Sequence, residues 1–273
     1  MLNVPKATDK SFAEGKILQS VSEGVGVITF NNPAKHNAMS LDMWEGLGQS
    51  LTELRDDPDV RVVILTGTGD KAFVSGADIS QFEKTRHNAE ASEQYSKRSA
   101  AQRALLADYP KPTIACIRGF CLGGGMQVAM LADIRFAAEN SQFGIPAAKL
   151  GIAYGYDGLR NLVSLVGPSW ARLIMYTGMR IGSAEAQRIG LVDRVLPDAE
   201  LWDATLEVAR SISANAPLAV KAAKITIAQV LKDPAVRDFD VIKDIGTACM
   251  DSEDFREGRR AFMEKRKPAF KGK

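Results

Sequence analysis

Residues 113–131 limit the fold more than any other stretch. An apolar run, Thr113-Ile114-Ala115-Cys116-Ile117, is followed within a few residues by Leu122-Gly123-Gly124-Gly125 and then by a segment, 126–132, with the composition of a helix. A strand, a glycine-rich turn and a helix start make a site for negative charge. The first N–H groups of a helix have no partner inside it, and the helix dipole adds partial positive charge there. Glycine also lets a ligand or another backbone come close, so a helix packed tightly on a sheet asks for the same residues. The triplet lacks the G-x-G-x-x-G spacing of a dinucleotide-binding turn, and no G-K-[S/T] follows it. A second loop, Ser75-Gly76-Ala77-Asp78-Ile79, also follows a short apolar run, Ala72-Phe73-Val74. Two such loops can each offer one backbone N–H to a single oxygen, which stabilises a carbonyl oxygen that gains charge during a reaction.

Around these loops the pattern alternates strand and helix. Lys16–Ser22 and Val25–Phe30 read as a hairpin across Glu23-Gly24. Ser40 can cap a helix over 41–55, with Leu41, Trp44, Leu47, Leu51 and Leu54 on one face. Val60–Leu65 has the β-branched, apolar look of a strand buried on both faces. Residues 80–109 are polar and then helical, and Pro110 and Pro112 end that helix. A further strand is expected at Ile134–Ala137, and a helix over 158–166. From residue 168 helices dominate, at 169–177, 183–190, 199–213, 217–231, 235–249 and 253–264. The layout is a β/α core over residues 1–190 and a helical part over 191–273.

Composition excludes several function classes. The 273-residue chain carries a net charge of +2, which gives no electrostatic case for nucleic acid or an acidic membrane surface. Its three cysteines, Cys116, Cys121 and Cys249, lack metal-ligand spacing and suit a reduced, cytoplasmic protein with buried thiols. With only His36 and His87, chemistry built on several histidines is excluded. The first residues lack the apolar stretch of a secretory signal. No apolar run approaches the ~18 residues of a membrane span.

Several motifs resemble, in order along the chain, the enoyl-CoA hydratase/isomerase (crotonase) superfamily. They are Asn32-Pro33-x-x-x-Asn37-Ala38-Met39, Phe73-x-Ser75-Gly76-Ala77-Asp78-Ile79, Lys111-Pro112-x-Ile114-Ala115-x-Ile117-x-Gly119 and Leu122-Gly123-Gly124-Gly125. They continue with Ala132-Asp133-Ile134, Gln142-Phe143-Gly144, Leu150-Gly151 and Glu185-Ala186-x-x-Ile189-Gly190-Leu191-Val192. The resemblance implies an α/β crotonase fold, a spiral of ββα units whose helical C-terminal region builds a homotrimer or a dimer of trimers. It implies an acyl-CoA thioester as substrate, with no cofactor beyond the coenzyme A that the substrate carries. By position, the N–H groups of Ala77 and Gly124 would hold the thioester oxygen. Ala38 and the segment Ala77, Asp78, Ile79 and Ser80 would line the coenzyme path. Lys35 would sit near the coenzyme phosphates or be a solvated surface lysine, and Phe262 and Lys265 would reach a neighbouring subunit's site.

The sequence departs from the hydratases where their two glutamates stand, because Gln127 and Ala147 occupy those positions. An amide can hold water but cannot take a proton near neutral pH, and a methyl group can do neither. The segment Tyr154-Gly155-Tyr156-Asp157 offers the clustered polar alternatives. Tyr154 can orient a carboxylate or give a proton to an enolate. A desolvated Asp157 could have its pKa raised into a useful range, or it could be a turn or helix-capping residue. Tyr156 suits packing. Leu150-Gly151-x-x-Tyr154 is similar to the methylmalonyl-CoA decarboxylase branch, although that branch has histidine where this chain has Ala77. The reading is therefore a lyase-type reaction on an acyl-CoA, decarboxylation or an atypical hydration, with Gln127, Tyr154 and Asp157 as its candidate side chains. The alternatives are a conventional enoyl-CoA hydratase/isomerase of fatty-acid metabolism and a non-catalytic acyl-CoA or RNA binder.

Overall fold

The computed structural model describes residues 10–81 and 87–273. Strands β2 (Ile17–Ser22) and β3 (Val25–Phe30) form the expected hairpin, turned by Glu23 and Gly24 with φ of 52° and 79°. β1 (Lys10–Phe12) adds an antiparallel edge to β2. On the other side of β3 the chain lays parallel strands β4 (Val62–Gly67), β6 (Thr113–Ile117), β8 (Ile134–Ala138) and β11 (Arg194–Leu196), in the order β1-β2-β3-β4-β6-β8-β11. A second, four-stranded sheet has the order β10-β9-β7-β5. Its members are β5 (Ala72–Val74), β7 (Phe120–Leu122), β9 (Gln142–Gly144) and β10 (Arg180–Gly182).

The repeating unit is a strand in the large sheet, a short strand in the small one, then a helix. It occurs as β4-β5-α2 (Ala89–Ala107), β6-β7-α3 (Gly124–Leu131) and β8-β9-α4 (Tyr156–Thr177). Only Arg118 and Gly119 separate β6 from β7, so the chain must turn sharply between sheets. Gly119 has a φ of 66°, and a Cβ there would lie 2.1 Å from the Lys71 carbonyl oxygen. No side chain fits that corner.

The large sheet is buried on both faces, which explains the unbroken apolar runs in its parallel strands. On one face, α1 (Leu41–Asp56) packs Trp44, Leu47, Leu51 and Leu54 into the main core with Ile28, Phe30, Val63 and Leu65. On the other, α6 (Leu201–Ser213) covers Val25, Val27, Val62, Ile64 and Ile114 with Leu201, Trp202 and Ala209. Cys116 and Cys121 are buried among these residues and their thiols are pushed up by burial, that of Cys116 to about 11, whereas Cys249 is half-buried.

Several boundaries differ from the sequence reading. The strand expected at 60–65 runs from Val62 to Gly67, because pairing with β3 begins opposite Val25 and continues to Phe30. The helices expected at 158–166 and 169–177 are present as the two halves of α4, separated by Gly167, which is non-helical at φ 72° before Pro168; the first half starts two residues early, at Tyr156. Asp157 lies in the first turn of α4 and Gly155 holds the cap position, so Asp157 is not the capping residue. α5 spans Ser183–Arg188. The large sheet and its cover also extend past residue 190, through β11 and α6. Beyond them come α7 (Pro217–Val230), α8 (Phe239–Asp251, begun by Asp238 rather than at 235) and α9 (Glu253–Met263). Among the described residues, no helix is long and apolar enough to cross a membrane, and no group of three or more His, Cys, Asp or Glu could hold a metal ion.

A close approach between units also occurs at the start of α3. A Cβ on Gly125 would lie 2.1 Å from the Val74 carbonyl oxygen and 2.9 Å from the Val74 Cβ. Gly125→Ala should therefore push α3 off β5 and destabilise the fold by about 2 kcal/mol or more. Urea unfolding checks this, and an unchanged midpoint would contradict the close approach.

Candidate active site

Two backbone loops meet at the end of β5 and the start of α3. After β5 the chain runs through Ser75 and Gly76 to Ala77, which pairs with Met39 in an isolated parallel bridge. The Met39 N–H donates to the Gly76 carbonyl at 2.8 Å, and the Asp78 N–H donates to the Met39 carbonyl at 2.9 Å. Because the residues flanking Ala77 make these bonds, the extended backbone turns the Ala77 N–H to the opposite side. It has no acceptor among the described residues.

The second loop is fixed from the small sheet. The Gly123 N–H donates to the Gly144 carbonyl of β9 at 2.9 Å. Gly123, at φ 49°, turns the chain so that Gly124 becomes the first residue of α3. The Gly124 N–H is thus one of the donors that a helix start leaves unpaired, with the dipole's positive end behind it. A Cβ on Gly124 would lie 3.8 Å from the Ala77 nitrogen and 3.6 Å from the Gly76 carbonyl carbon. The two free donors therefore belong to neighbouring loops, with room for no more than a small side chain between Gly124 and the Gly76–Ala77 backbone.

Next to this pair stands a polar contact that the sequence reading anticipated only as separate candidates. Gln127 lies one turn into α3, half-buried, and hydrogen-bonds Tyr154. The Tyr154 hydroxyl donates to the Gly123 carbonyl at 3.2 Å. A phenol has one proton, so with that proton on Gly123 the bond to Gln127 is one that the amide NH₂ donates. Burial pushes the Tyr154 phenol well above its ordinary value, and the nearby Arg103 guanidinium and the Gln127 bond only partly oppose this. Gly158 leaves room for the ring, since a Cβ there would lie 3.0 Å from two Tyr154 ring carbons and 3.7 Å from Gln127 Nε2.

Other candidates fall elsewhere. Ala147 is buried in the main core beside Ile145, so a methyl group occupies its position. Asp157 is exposed on the first turn of α4 and so does not stand in the desolvated position that the sequence reading asked of it. Tyr156 is 77% exposed and does not pack inside the chain. Ala38 is buried beside the Met39 bridge, while Ile79 and Ser80 are exposed after it. Lys35 is neither a free cation nor a simple surface group, because its ammonium lies 2.8 Å from Asp78 Oδ2 and 2.8 Å from Ser80 Oγ. Phe262 is exposed at the end of α9, and Lys265 follows in a left-handed conformation at φ 53°.

Arg103 was missed from sequence. It lies on α2, its guanidinium carbon 5.4 Å above the buried Trp44 ring and its Nη1 3.1 Å from Ser99 Oγ. The spacing Ser99–Arg103 is one helical turn, but an arginine in a polar helix carries no sign of facing inward.

Comparison with known proteins agrees with this architecture. Residues 20–273 match the family described as enoyl-CoA hydratase/isomerase. The chain is 36% identical over 256 residues to the crotonyl-CoA hydratase of Syntrophomonas wolfei, covering 93% of the chain and 97% of that protein. It is 37% identical over 243 residues to the short-chain-enoyl-CoA hydratase of Clostridium acetobutylicum, covering 89% and 92%. The crystal structure of an enoyl-CoA hydratase/carnithine racemase from Magnetospirillum magneticum superposes with a TM-score of 0.90 at 34% identity, covering 94% of this chain and 96% of that one.

The buried phenol has a consequence for stability. Folding keeps Tyr154 protonated to a higher pH than the unfolded chain does, so the contribution is complete below the unfolded pKa of about 10 and is lost as pH rises above it. Tyr109 is pushed in the same direction by burial, so the comparison must be made between variants. Stability of the wild-type chain should fall above pH 10, and that of Tyr154→Phe should fall less steeply. Urea midpoints measured from pH 8 to 11 check the difference in slope.

Proposed function

The chain belongs to the enoyl-CoA hydratase/isomerase family, and on that premise we propose that it is an acyl-CoA lyase working through a thioester enolate. The observation that carries this reading is the approach of two loops whose Ala77 and Gly124 N–H groups have no acceptor among the described residues, close enough that a Cβ on Gly124 would lie 3.8 Å from the Ala77 nitrogen. A thioester oxygen placed between them gains charge as the enolate forms, and donors already in place stabilise it without reorganising.

The reaction we favour is addition of water across the C2=C3 bond of a short enoyl-CoA, with the reverse elimination. The named hydratases among the relatives support it. So does the orientation of Gln127. Its NH₂ is engaged by Tyr154, and its carbonyl oxygen is left to accept a proton of bound water. Neither group is a base, so as the water oxygen bonds to C3 the electron pair of the double bond collects on C2 and the thioester oxygen as an enolate, and the added water's own proton then passes to C2. A second reading has one specific observation in its favour, the neutral side chains Gln127 and Ala147 where hydratases carry glutamates. Loss of CO₂ from a 2-carboxyacyl-CoA leaves its electron pair on C2 and the thioester oxygen, and so needs no base; the enolate then takes its proton at C2 from water. Neither reaction calls for a group beyond the substrate's own coenzyme A.

We also propose that the exposed apolar side chains Ile227, Val230, Leu231 and Phe239 of the α7–α8 region are covered by further copies of the chain, as a trimer or a dimer of trimers. Sedimentation velocity should show a single species of three or six chains, and Phe239→Glu should shift it toward monomer. A monomeric wild-type protein would overturn this.

The functional test uses crotonyl-CoA. Decay of its conjugated absorbance should be catalysed by the wild type. Gly124→Ala adds a carbon but keeps the N–H, whereas Gly124→Pro adds bulk and removes it. Turnover of Gly124→Pro should fall on the order of a hundredfold below that of Gly124→Ala, and equal rates would sink the assignment. CO₂ release from malonyl-CoA or methylmalonyl-CoA without hydration of crotonyl-CoA would establish the second reading instead.

A further inference from the structure

The Ala77 N–H is useful only if its loop is held still, and the residues that hold it are printed across two distant segments. Segment 33–39 comes first. His36 and Asn37 both adopt left-handed φ, 50° and 56°, which two consecutive non-glycine residues do not keep without support. Asn37 supplies it from full burial. Its Oδ1 accepts from the Asn32 N–H at 2.8 Å, and its Nδ2 donates to the carbonyls of Thr68 at 3.0 Å and Ala72 at 2.7 Å. This fixed segment then grips the second one. The Ser75 N–H donates to the His36 carbonyl at 3.1 Å, and Met39 bonds to residues 76 and 78 on either side of Ala77.

One contact between the segments joins side chains of opposite charge. Lys35 Nζ donates to Asp78 Oδ2, and Asp78 Oδ1 accepts from the Ser80 N–H at 3.2 Å and from Ser80 Oγ at 2.6 Å. The Asp78 carboxylate is 7% exposed and lies next in sequence to Ala77, while Lys35 is half-exposed. Burial alone would raise the Asp78 carboxyl, but the Lys35 and Ser80 bonds carry it below the usual carboxylate range, so it is charged at neutral pH. A buried charge held by one ammonium resists displacement, because releasing Lys35 leaves the carboxylate with only its two Ser80 bonds and no opposite charge.

We propose that Asp78 and Lys35 are positioning residues, an ion-pair brace that keeps the Ala77 N–H aimed at the thioester oxygen. This assigns Lys35 to catalysis through the loop instead of to the coenzyme phosphates. The inference rests on the acyl-CoA reading above.

A truncated substrate separates the two roles. The same enoyl group is offered on coenzyme A and on N-acetylcysteamine, which lacks every phosphate. If Lys35 is a brace, Lys35→Met and Asp78→Asn each lower kcat about tenfold or more on both substrates, as expected when one oxyanion donor is misplaced and not lost. The ratio of KM values for the two substrates stays at the wild-type value. The double variant is then no slower than the slower single one, because both remove the same interaction, and Lys35→Arg recovers part of the rate. If Lys35 instead binds phosphate, Lys35→Met raises KM for the coenzyme A thioester only and leaves the truncated substrate unaffected, which overturns the brace.

A readout without turnover guards against failure of the functional reading. The carbonyl stretch of a bound saturated acyl-CoA should move to lower wavenumber in the wild type. It should return toward the free value in Lys35→Met, whose half-exposed side chain makes unfolding an unlikely cause; urea midpoints confirm the fold. A wild type with neither turnover nor a shifted carbonyl defeats the acyl-CoA reading. A shifted carbonyl that is identical in wild type and both variants defeats the brace alone.

Discussion

The Val74 carbonyl oxygen stands 2.1 Å from the point where a side chain on Gly125 would begin. The site depends on that approach. It brings the first turn of α3 against the end of β5, and so puts the Gly124 N–H beside the loop that carries Ala77. The two donors come from different strand–strand–helix units and are joined only by this packing. Each is unpaired for a different reason. Gly124 is the first residue of a helix, while Ala77 is the middle residue of a bridge whose neighbours take both bonds to Met39. Neither donor requires a particular side chain, so the proposed oxyanion site would be made by the fold itself, leaving the reaction to the groups around it.

Those groups carry little negative charge. With an amide at 127 and a methyl at 147, no carboxylate adjoins the helix start at these positions, and the buried Asp78 is neutralised by Lys35. The Arg103 guanidinium is close enough to Tyr154 to favour its ionised form. Two glutamates would repel an anionic acyl group as strongly as they would activate water. Their replacement by neutral side chains exchanges proton-taking capacity for tolerance of negative charge on the acyl chain. Hydration and decarboxylation lie on either side of that exchange, which is why substrate comparison separates them and the fold does not.

The parts of the site that belong to short stretches of chain were legible in the sequence. Glycines 123–125 after an apolar run, and Ser75-Gly76-Ala77 after another, announce two small-residue loops, and the structure brings them together. The parallel strands β4, β6 and β8 were legible because burial on both faces leaves them mostly apolar, whereas the short, partly exposed β11, which begins with Arg194, was not. The strands of the small sheet added by β7, β9 and β10 were not, since three residues contain less than two periods of alternation. The break at Gly167 was legible, because a glycine followed by Pro168 interrupts the helical pattern there. The Lys35–Asp78 pair was hidden by its separation of 43 residues. Asp157 misled for the opposite reason: it adjoins Tyr154 in sequence, but the start of α4 turns it to solvent.

The hydrogen bonds of Tyr154 narrow its part in the chemistry. Its single proton already lies on the Gly123 carbonyl, and its oxygen accepts from Gln127. To protonate an enolate carbon it would have to give up the first bond, and to act as a base it would have to ionise in a pocket that holds it neutral. Leaving both bonds intact costs nothing and has two effects. It steadies the carbonyl immediately before Gly124, and it turns the Gln127 oxygen away from Tyr154 and toward whatever occupies the site. Tyr154 then acts on the reaction through Gly123 and Gln127. A water could donate to the Gln127 carbonyl, whereas a substrate carboxylate, which only accepts, would need donors elsewhere; in either proposed reaction the developing charge would fall to the Ala77 and Gly124 N–H groups.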